Sequence, residues 1–415
     1  MNTNNPAIQS VKVNKVRHLR NLEISIGESS SPCHLIFTGK NGSGKTSLLK
    51  SMWQHICSIA VDVNFNHLSN IRHLSFFQEH LKKAETENNQ VEVVKSQHQI
   101  DILRQKIEQL SGEVEITLSN KELFPALIAD RKFLLAYYSD HRFSTFKAPK
   151  NPEKPNLSFK LTDNKVDQFL NFLVDLKVQR ALAAEEGKKE VVEDINKWFG
   201  SFVDILRRIF RDNALVLEFD YKNYAFTICT QMGSFPFTGL SAGYSAVLDI
   251  VADMMLKMQP KDTIVRTFEM PGIVFIDEIE THLHLELQKE ILHILTSIFP
   301  NVQFVITTHS PFVVSAVQNS LIYDLENKES ITNLTEYSYG SLMEGFFGVD
   351  SDSAELKRRI NMFESLIKKT DKTIDDKQEI IRLRSELLAL PEWTAPALKA
   401  RFNELNLKNS LETLS

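Results

Sequence analysis

Apolar and polar positions alternate near the start of the chain and give way to unbroken apolar runs further on. The stretches 8–13 and 22–26 alternate and are separated by the turn-like residues 18–21, which predicts a β-hairpin. Later runs of mainly apolar residues predict buried strands at 34–37, 133–138, 273–276 and 302–306. Strands that are apolar on both faces are typical of parallel sheets covered by helices. The pattern therefore predicts an α/β fold with an antiparallel N-terminal lobe.

Helical periodicity fills much of the remaining chain, at residues 47–62 and in a second block over 166–210. The stretch 75–111 is rich in Glu, Gln and Lys and predicts one long helix or a helical hairpin. It is either a solvated protrusion or a coiled coil that binds a partner. From residue 353 the chain is mostly helical. An apolar stripe there favours a docking platform over packing within its own domain: Leu356, Ile360, Phe363 and Ile367.

A glycine-rich segment directly follows the first apolar run. Residues 39–46 read Gly-Lys-Asn-Gly-Ser-Gly-Lys-Thr and fit G-x-x-x-x-G-K-[ST] between a strand and a helix, which predicts a P-loop. Backbone N–H groups and the helix N-terminus then attract phosphate, Lys45 reaches the β- and γ-phosphates, and the Thr46 hydroxyl is a ligand for Mg²⁺. The candidate nucleotide contacts are Gly39, Asn41, Gly42, Ser43, Gly44, Lys45, Thr46 and Ser47.

Two carboxylates end the third apolar run, and a histidine follows the fourth. Asp277 is a candidate for holding Mg²⁺, and Glu278 for polarising the attacking water as general base. His309 comes one helix and one strand later, which predicts a place on the neighbouring strand beside the γ-phosphate. Each signal is weak alone, and their order after a P-loop gives them weight.

A second candidate anion site lies between the P-loop and the acidic strand. Residues 239–244 read Gly-Leu-Ser-Ala-Gly-Tyr and precede an apolar helix, so Ser241 and Gly243 lie at a helix N-terminus. Because the P-loop already supplies one phosphate cradle, a second one indicates a composite site shared by two protomers.

Together these motifs resemble the ATP-binding-cassette (ABC) ATPases of the branch that includes the SMC, Rad50 and RecF proteins. Within that branch the chain is most similar to stand-alone bacterial AAA-15/AAA-21 ATPases. The family's Walker A motif corresponds to residues 39–46, its signature to 240–244, its Walker B motif to 273–278 and its switch histidine to His309. The signature departs from the usual Leu-Ser-Gly-Gly-Gln at Ala242 and Tyr244. No Q-loop glutamine can be placed, and Arg142 in that region is either a phosphate or nucleic-acid contact or a surface residue.

The resemblance implies a P-loop NTPase with an ABC-ATPase-like sheet, an antiparallel N-terminal lobe, a helical insertion and a helical C-terminal extension. The expected parts are an N-terminal ATPase lobe with the P-loop, a coiled-coil-like insertion, the rest of the ATPase domain, and the extension. Their bounds are 1–70, 71–130, 131–325 and 326–415.

The resemblance further implies Mg²⁺-dependent hydrolysis of ATP by a head-to-tail dimer. Two ATP molecules would lie between the P-loop of one chain and Ser241 and Gly243 of the other, and larger closed assemblies of dimers are compatible with this. In bacteria such ATPases often pair with a nuclease in anti-phage systems such as Septu and PARIS. The implied role is a sensor and switch for a separately encoded effector, expected to be a nuclease.

The composition of the chain bears on the alternative functions. A net charge of −5 gives no global field for nucleic acid, so a RecF-like ATPase acting on DNA would need a local basic patch. The candidate patches are Arg142 with Lys147, Lys150, Lys154 and Lys160, and Arg207 and Arg208 with Arg211. An ATP-stabilised scaffold with little turnover is a further alternative. The polar N-terminus and three scattered cysteines predict a cytoplasmic protein with no membrane partner.

Overall fold

The structure is a computed structural model, which describes residues 5–27, 32–60, 74, 76–84, 90–111, 113–141, 146–155, 164–259, 268–332, 334, 342, 354–389 and 396–412. The chain divides into two units, Met1–Glu336 and Tyr337–Ser415. The strands are β1 Ile8–Val16, β2 Leu19–Ser25, β3 His34–Thr38, β4 Val114–Leu118, β5 Leu134–Tyr138, β6 Val216–Asp220, β7 Ala225–Thr230, β8 Gly233–Pro236, β9 Gly272–Ile276, β10 Val302–Thr307, β11 Ser320–Asp324 and β12 Glu329–Thr332.

The described α-helices alternate with these strands through the first unit and make up the second. They are α1 Lys45–Ala60, α2 Gln90–Ser111, α3 Phe124–Ala129, α4 Phe169–Glu185, α5 Lys189–Phe210, α6 Ala242–Lys257, α7 Leu285–Ile298, α8 Pro311–Val314, α9 Ala354–Lys368, α10 Ile374–Leu388 and α11 Pro396–Glu412.

A six-stranded sheet forms the centre of the first unit, in the order β12-β11-β3-β10-β9-β5. All neighbouring pairs are parallel except β11 with β12. Strands β3, β9 and β10 are buried along their whole length, because helices cover both faces of a parallel sheet. Their carboxyl ends meet at one edge, since Ile306 lies opposite Ile276 on one side and Ile36 on the other. Most of the candidate site residues that were predicted from the sequence lie at this edge.

An antiparallel sheet, in the order β2-β1-β4, forms the N-terminal lobe. The predicted hairpin is confirmed as β1 and β2, whereas the third strand, β4, comes from residues beyond the helical stretch and was not predicted. Apolar residues of this lobe share one core with α1 and one face of the central sheet. Trp53 of α1, for example, packs its ring on Phe275 of β9 at 5.7 Å between centroids.

A helical block and a small antiparallel sheet, β6-β7-β8, complete the first unit. Helix α6 is apolar on nearly all sides because it packs against α4, α5 and α7. Aromatic side chains of α4 and α5 pack edge to face, as Phe172 does on Trp198 at 5.3 Å between ring centroids.

The second unit is built from α9, α10 and α11 around its own apolar core. The stripe of Leu356, Ile360, Phe363 and Ile367 is buried in that core, against residues of α10 and α11. The expectation that this stripe is a docking surface is therefore wrong. The periodicity correctly marked a buried helix face, but the cover comes from neighbouring helices of the same unit.

Candidate nucleotide site

The glycine-rich loop connects β3 to α1 through three glycines in the left-handed region. Gly39, Gly42 and Gly44 have φ of +135°, +85° and +95°, where side chains other than hydrogen are strained. A Cβ atom on Gly39 would lie 2.9 Å from Ser43 Oγ, and one on Gly44 would lie 3.1 Å from Leu19 Cδ1. The backbone path thus favours glycine at all three positions, and close packing adds a second reason at Gly39 and Gly44.

Lys45 begins α1 and its side chain turns into the loop. Its Nζ donates hydrogen bonds to the carbonyl oxygens of Gly39 at 2.8 Å and Lys40 at 3.1 Å. The side chain is almost wholly buried, and burial lowers the pKa of Lys45. The carboxylates of the neighbouring strand end oppose that shift. A buried ammonium at the centre of a loop of this shape is suited to anionic phosphate.

Thr46 and Asp277 meet across the edge of the sheet. Thr46 Oγ1 donates to Asp277 Oδ1 at 3.2 Å, and Thr307 Oγ1 donates to the same oxygen at 2.6 Å. Asp277 is fully buried, and its Oδ2 has no hydrogen-bond partner among the residues that the structure describes. A buried carboxylate oxygen of this kind calls for a cation or water.

The donor set fits Mg²⁺, which prefers oxygen ligands and usually binds through one or two protein groups together with water and substrate phosphates. Within the described ranges, no cluster of three or more His, Cys, Asp or Glu side chains is arranged to hold a metal ion. Thr46 and Asp277 would therefore need phosphate and water oxygens to complete a coordination sphere.

Glu278 and His309 lie on adjacent strand ends, as the spacing predicts. Glu278 has a strained φ of +44°, and its backbone N–H donates to Thr307 Oγ1 at 2.7 Å. His309 Nε2 is 3.9 Å from Glu278 Oε1, and both side chains are about one-third exposed at 32% and 37%. Burial, followed by the charge of Lys45, lowers the pKa of His309. A neutral imidazole beside a carboxylate can accept or relay a hydrogen bond from a water molecule.

Ser241 and Gly243 lie at the N-terminus of α6, as predicted. Ser241 is exposed at the N-cap position, and its hydroxyl makes no capping hydrogen bond. Gly243 is buried. A Cβ atom there would lie 3.2 Å from the carbonyl oxygen of His282 and 3.4 Å from Leu287 Cδ1, so there is little room for a side chain. The helix start therefore packs on the loop after β9 while it leaves the serine hydroxyl to solvent.

Two site residues were missed by the sequence reasoning. Thr307 bonds Asp277 and the Glu278 backbone, and Glu280 bonds the loop that carries His309. The polar run Thr307-Thr308 after an apolar strand was a usable signal. Tyr138, which ends β5, donates to Asp253 of α6 at 2.7 Å, while Arg142 just beyond it lies outside the described residues.

Comparison with known proteins gives matches of several kinds. The family described as "AAA domain, putative AbiEii toxin, Type IV TA system" matches residues 115–315, a range that includes the acidic strand end and His309 and begins after the P-loop. Septu protein PtuA of Bacillus mycoides (strain KBAB4) is 24% identical over 92% of this chain and 50% of its own length. The Retron Vc95 probable ATPase of Vibrio cholerae serotype O1 biovar El Tor is 30% identical over 34% of this chain and 30% of its own length.

Among solved structures, an SMC head bound to the C-winged helix domain of ScpA aligns with 79% of this chain and 98% of its own, at 11% identity and a TM-score of 0.40. The chain spans half or less of the length of the two curated relatives. No helix in the described part of the chain has both the length and the apolar character needed to cross a membrane.

The P-loop, the mostly parallel sheet and the polar groups at its edge define the class: the chain has the fold of a P-loop NTPase. Residues 115–315 are similar to the AAA domains of the matched family, and parts of the chain are similar to a Septu protein and to a retron ATPase. The predicted resemblance and fold class are confirmed.

Proposed function

We propose that the chain is an ATP-driven switch in which nucleotide binding and hydrolysis control a separate effector in bacterial anti-phage defence. The observation that carries the hydrolytic part is the convergence of Lys45, Thr46, Asp277, Glu278 and His309 on one edge of the sheet. The relatives named as a Septu protein and a retron ATPase support the defence setting.

In this proposal Lys45 and the loop amides bind the β- and γ-phosphates, and Thr46 with Asp277 holds Mg²⁺. When bound, the ion neutralises charge that develops on the phosphates. Glu278 accepts a proton from the attacking water, and the neutral His309 orients that water or the γ-phosphate by a hydrogen bond. Thr307 fixes the Asp277 carboxylate and the Glu278 backbone, since its hydroxyl donates to Asp277 Oδ1 and accepts from the Glu278 N–H.

The switch itself would be a head-to-tail dimer. Ser241 is the N-cap residue of α6, and its hydroxyl makes no hydrogen bond to the helix N-terminus. The hydroxyl and the helix N-terminus together can therefore bind an anion. If a second chain places this site against the γ-phosphate, ATP binds the closed pair better than the open one, and hydrolysis releases it. The proposed partners are thus a second copy and, beyond it, an effector protein such as a nuclease.

A test of the hydrolytic roles compares Glu278→Gln with Lys45→Ala. Glu278→Gln should bind ATP and accumulate as a nucleotide-dependent dimer, with turnover lower by about 10²- to 10⁴-fold. Lys45→Ala should lose ATP binding. The matched control is Glu193→Gln, on an exposed part of α5, which should leave both unchanged. If Glu278→Gln hydrolyses ATP at the wild-type rate, Glu278 is not the general base.

The effector role is tested by co-expressing the chain with its genomic neighbours and recording what elutes with it, with and without ATP. ATP-dependent elution with a nuclease supports the switch. Elution as a nucleotide-dependent dimer alone, together with salt-sensitive DNA binding, would instead support an ATPase that acts directly on DNA.

The basic residues considered for DNA contact weigh against that alternative, because several have acidic partners. Arg211 pairs with Glu286 and Glu290 at 2.9 and 2.7 Å. Arg207 pairs with Asp204 at 3.0 Å. An arginine paired in this way must break its ion pair before it can bind a phosphate, which reduces its net contribution.

A further inference from the structure

Glu280 lies in the loop after β9, two residues beyond Glu278, and both of its oxygens bond the loop after β10. Thr308 Oγ1 donates to Glu280 Oε2 at 2.7 Å, and the backbone N–H of His309 donates to Glu280 Oε1. Two charge-assisted hydrogen bonds from one carboxylate thus hold the segment from which the His309 side chain projects.

The same segment is anchored from its other side. Ser310 N–H donates to Thr308 Oγ1 at 3.0 Å, and Ser310 Oγ donates to Gln288 Oε1 of α7 at 2.8 Å. Thr308 is fully buried, so its hydroxyl cannot exchange these partners for water. The position of His309 is therefore set by a continuous chain of hydrogen bonds that begins at Glu280.

The loop that carries Glu280 is itself fixed to the sheet. Ile279 N–H donates to the Thr307 carbonyl oxygen at 3.2 Å, and the Ile279 side chain is 1% exposed in the core. Leu283 N–H returns to the Glu280 carbonyl oxygen at 2.9 Å. Because the backbone on either side is tied down, the Glu280 carboxylate has a defined direction, toward residues 308 and 309.

We propose that Glu280 is a positioning residue for ATP hydrolysis, which holds the His309 backbone so that the imidazole faces Glu278 and the site of water attack. This inference rests on the roles proposed above for Glu278 and His309. The two glutamates of the loop have different roles in this proposal. Both oxygens of Glu280 accept hydrogen bonds from residues 308 and 309, so Glu280 acts through His309. Glu278 faces the imidazole directly, at 3.9 Å.

The test measures kcat, KM and ATP affinity in the full chain for Glu280→Gln and Glu280→Ala. A carboxamide has one acceptor oxygen and can keep only one of the two bonds. We expect kcat to fall about tenfold in Glu280→Gln and about 100-fold in Glu280→Ala, since small displacements of catalytic groups have effects of this size. KM and ATP affinity should stay within about twofold, because neither bond reaches the loop that binds phosphate.

Two comparisons identify the route of the effect. In a His309→Ala background, Glu280→Gln should lower kcat no further, because a residue that acts only through His309 has nothing left to position. Thr308→Val removes one of the two donors at nearly constant shape and should give a smaller loss in the same direction. The control is Glu286→Gln, an exposed glutamate of α7 that pairs with Arg211 and should keep the wild-type rate.

An NMR titration of His309 gives a readout that a loss of folding would not imitate. The charged groups that shift the His309 pKa are Lys45, which lowers it, and Glu280 and Glu278, which raise it. Glu280→Gln removes a charge that raises the pKa, so His309 should titrate at lower pH than in the wild type. Glu280→Gln and Thr308→Val are measured separately, so failure of one variant to fold leaves the other as a test.

The outcomes are distinguishable. If His309→Ala and Glu278→Gln hydrolyse ATP at the wild-type rate, the proposed function is wrong and this inference fails with it. If those variants are impaired while Glu280→Gln keeps the wild-type rate and His309 titration, only the inference about Glu280 is overturned. Losses from Glu280→Gln and His309→Ala that multiply would also overturn it, because Glu280 would then act independently of His309.

Discussion

Thr307→Val tests whether one buried hydroxyl holds the acidic strand end together. Thr307 is fully buried, donates to Asp277 Oδ1 at 2.6 Å and accepts from the Glu278 backbone N–H at 2.7 Å. Valine has nearly the same shape, so packing is kept while a charge-assisted hydrogen bond is lost and an N–H is left without its partner. These losses cost about 1.5–3 and 1–3 kcal/mol, and we expect a total of about 3–5 kcal/mol in the free energy of unfolding.

The matched control is the same substitution on the adjacent strand. Thr38 of β3 is also buried, at 1% exposure, but its hydroxyl has no hydrogen-bond partner within the described part of the chain. Thr38→Val removes a polar atom whose burial is uncompensated. It should leave stability unchanged or raise it by about 1 kcal/mol. The same substitution is therefore expected to destabilise the protein at position 307 and not at position 38.

The assay is urea unfolding followed by tryptophan fluorescence, because Trp53 packs directly on Phe275 of the acidic strand. Thr307→Val should unfold at lower urea concentration with an unchanged slope, and its kcat should fall because Glu278 is no longer fixed. A loss below about 0.5 kcal/mol in Thr307→Val, which is ordinary for surface substitutions, would refute the reasoning. So would an equal loss in Thr38→Val.

Two other buried groups give further predictions. Burial lowers the pKa of His34 from 6.5 to about 4, so the unfolded chain binds the proton more readily, and acid denaturation should show stability falling by about 3 kcal/mol from pH 6.5 to 4. In His34→Asn, which can still accept from the Phe304 N–H, that dependence should shrink. Tyr138→Phe removes a 2.7 Å hydrogen bond to the buried Asp253, which also pairs with Lys257, and should cost about 1.5–3 kcal/mol in urea unfolding; no loss would contradict the role of this bond.

The sequence predicted the central sheet and its edge because those signals are local. Unbroken apolar runs identify fully buried strands, and glycines at fixed spacing identify a loop that needs positive φ, as Gly39 and Gly44 do. His309 could be placed beside Glu278 because one helix and one strand in a parallel sheet bring the chain back to a neighbouring position.

What could not be predicted depends on pairings between residues far apart in the sequence. Strand β4 joins β1 across a long insertion, and nothing in residues 114–118 specifies that partner. Thr307 and Glu280 are not distinctive in the sequence. Only the register of β9 and β10 brings Thr307 to Asp277 and Glu280 to Thr308. The apolar stripe of α9 is a related case. Its periodicity predicts that one face of the helix is buried, but it does not predict which part of the protein covers that face.

The hydrogen bonds at the sheet edge also bear on where control of hydrolysis can lie. Thr307 and Glu280 hold Asp277, Glu278 and the His309 loop through bonds made wholly by one chain. ATP can shift an equilibrium only by binding one state better than another. Asp277, Glu278 and the His309 loop are already held within one chain, so ATP binding is expected to move them little. Ser241, in contrast, is exposed and its hydroxyl makes no capping hydrogen bond, so it can still bind a phosphate. We therefore expect the ATP-dependent change to occur between two chains, and Ser241→Ala to weaken ATP-dependent dimerisation in light scattering while ATP binding to the monomer is kept; loss of that binding would contradict this view.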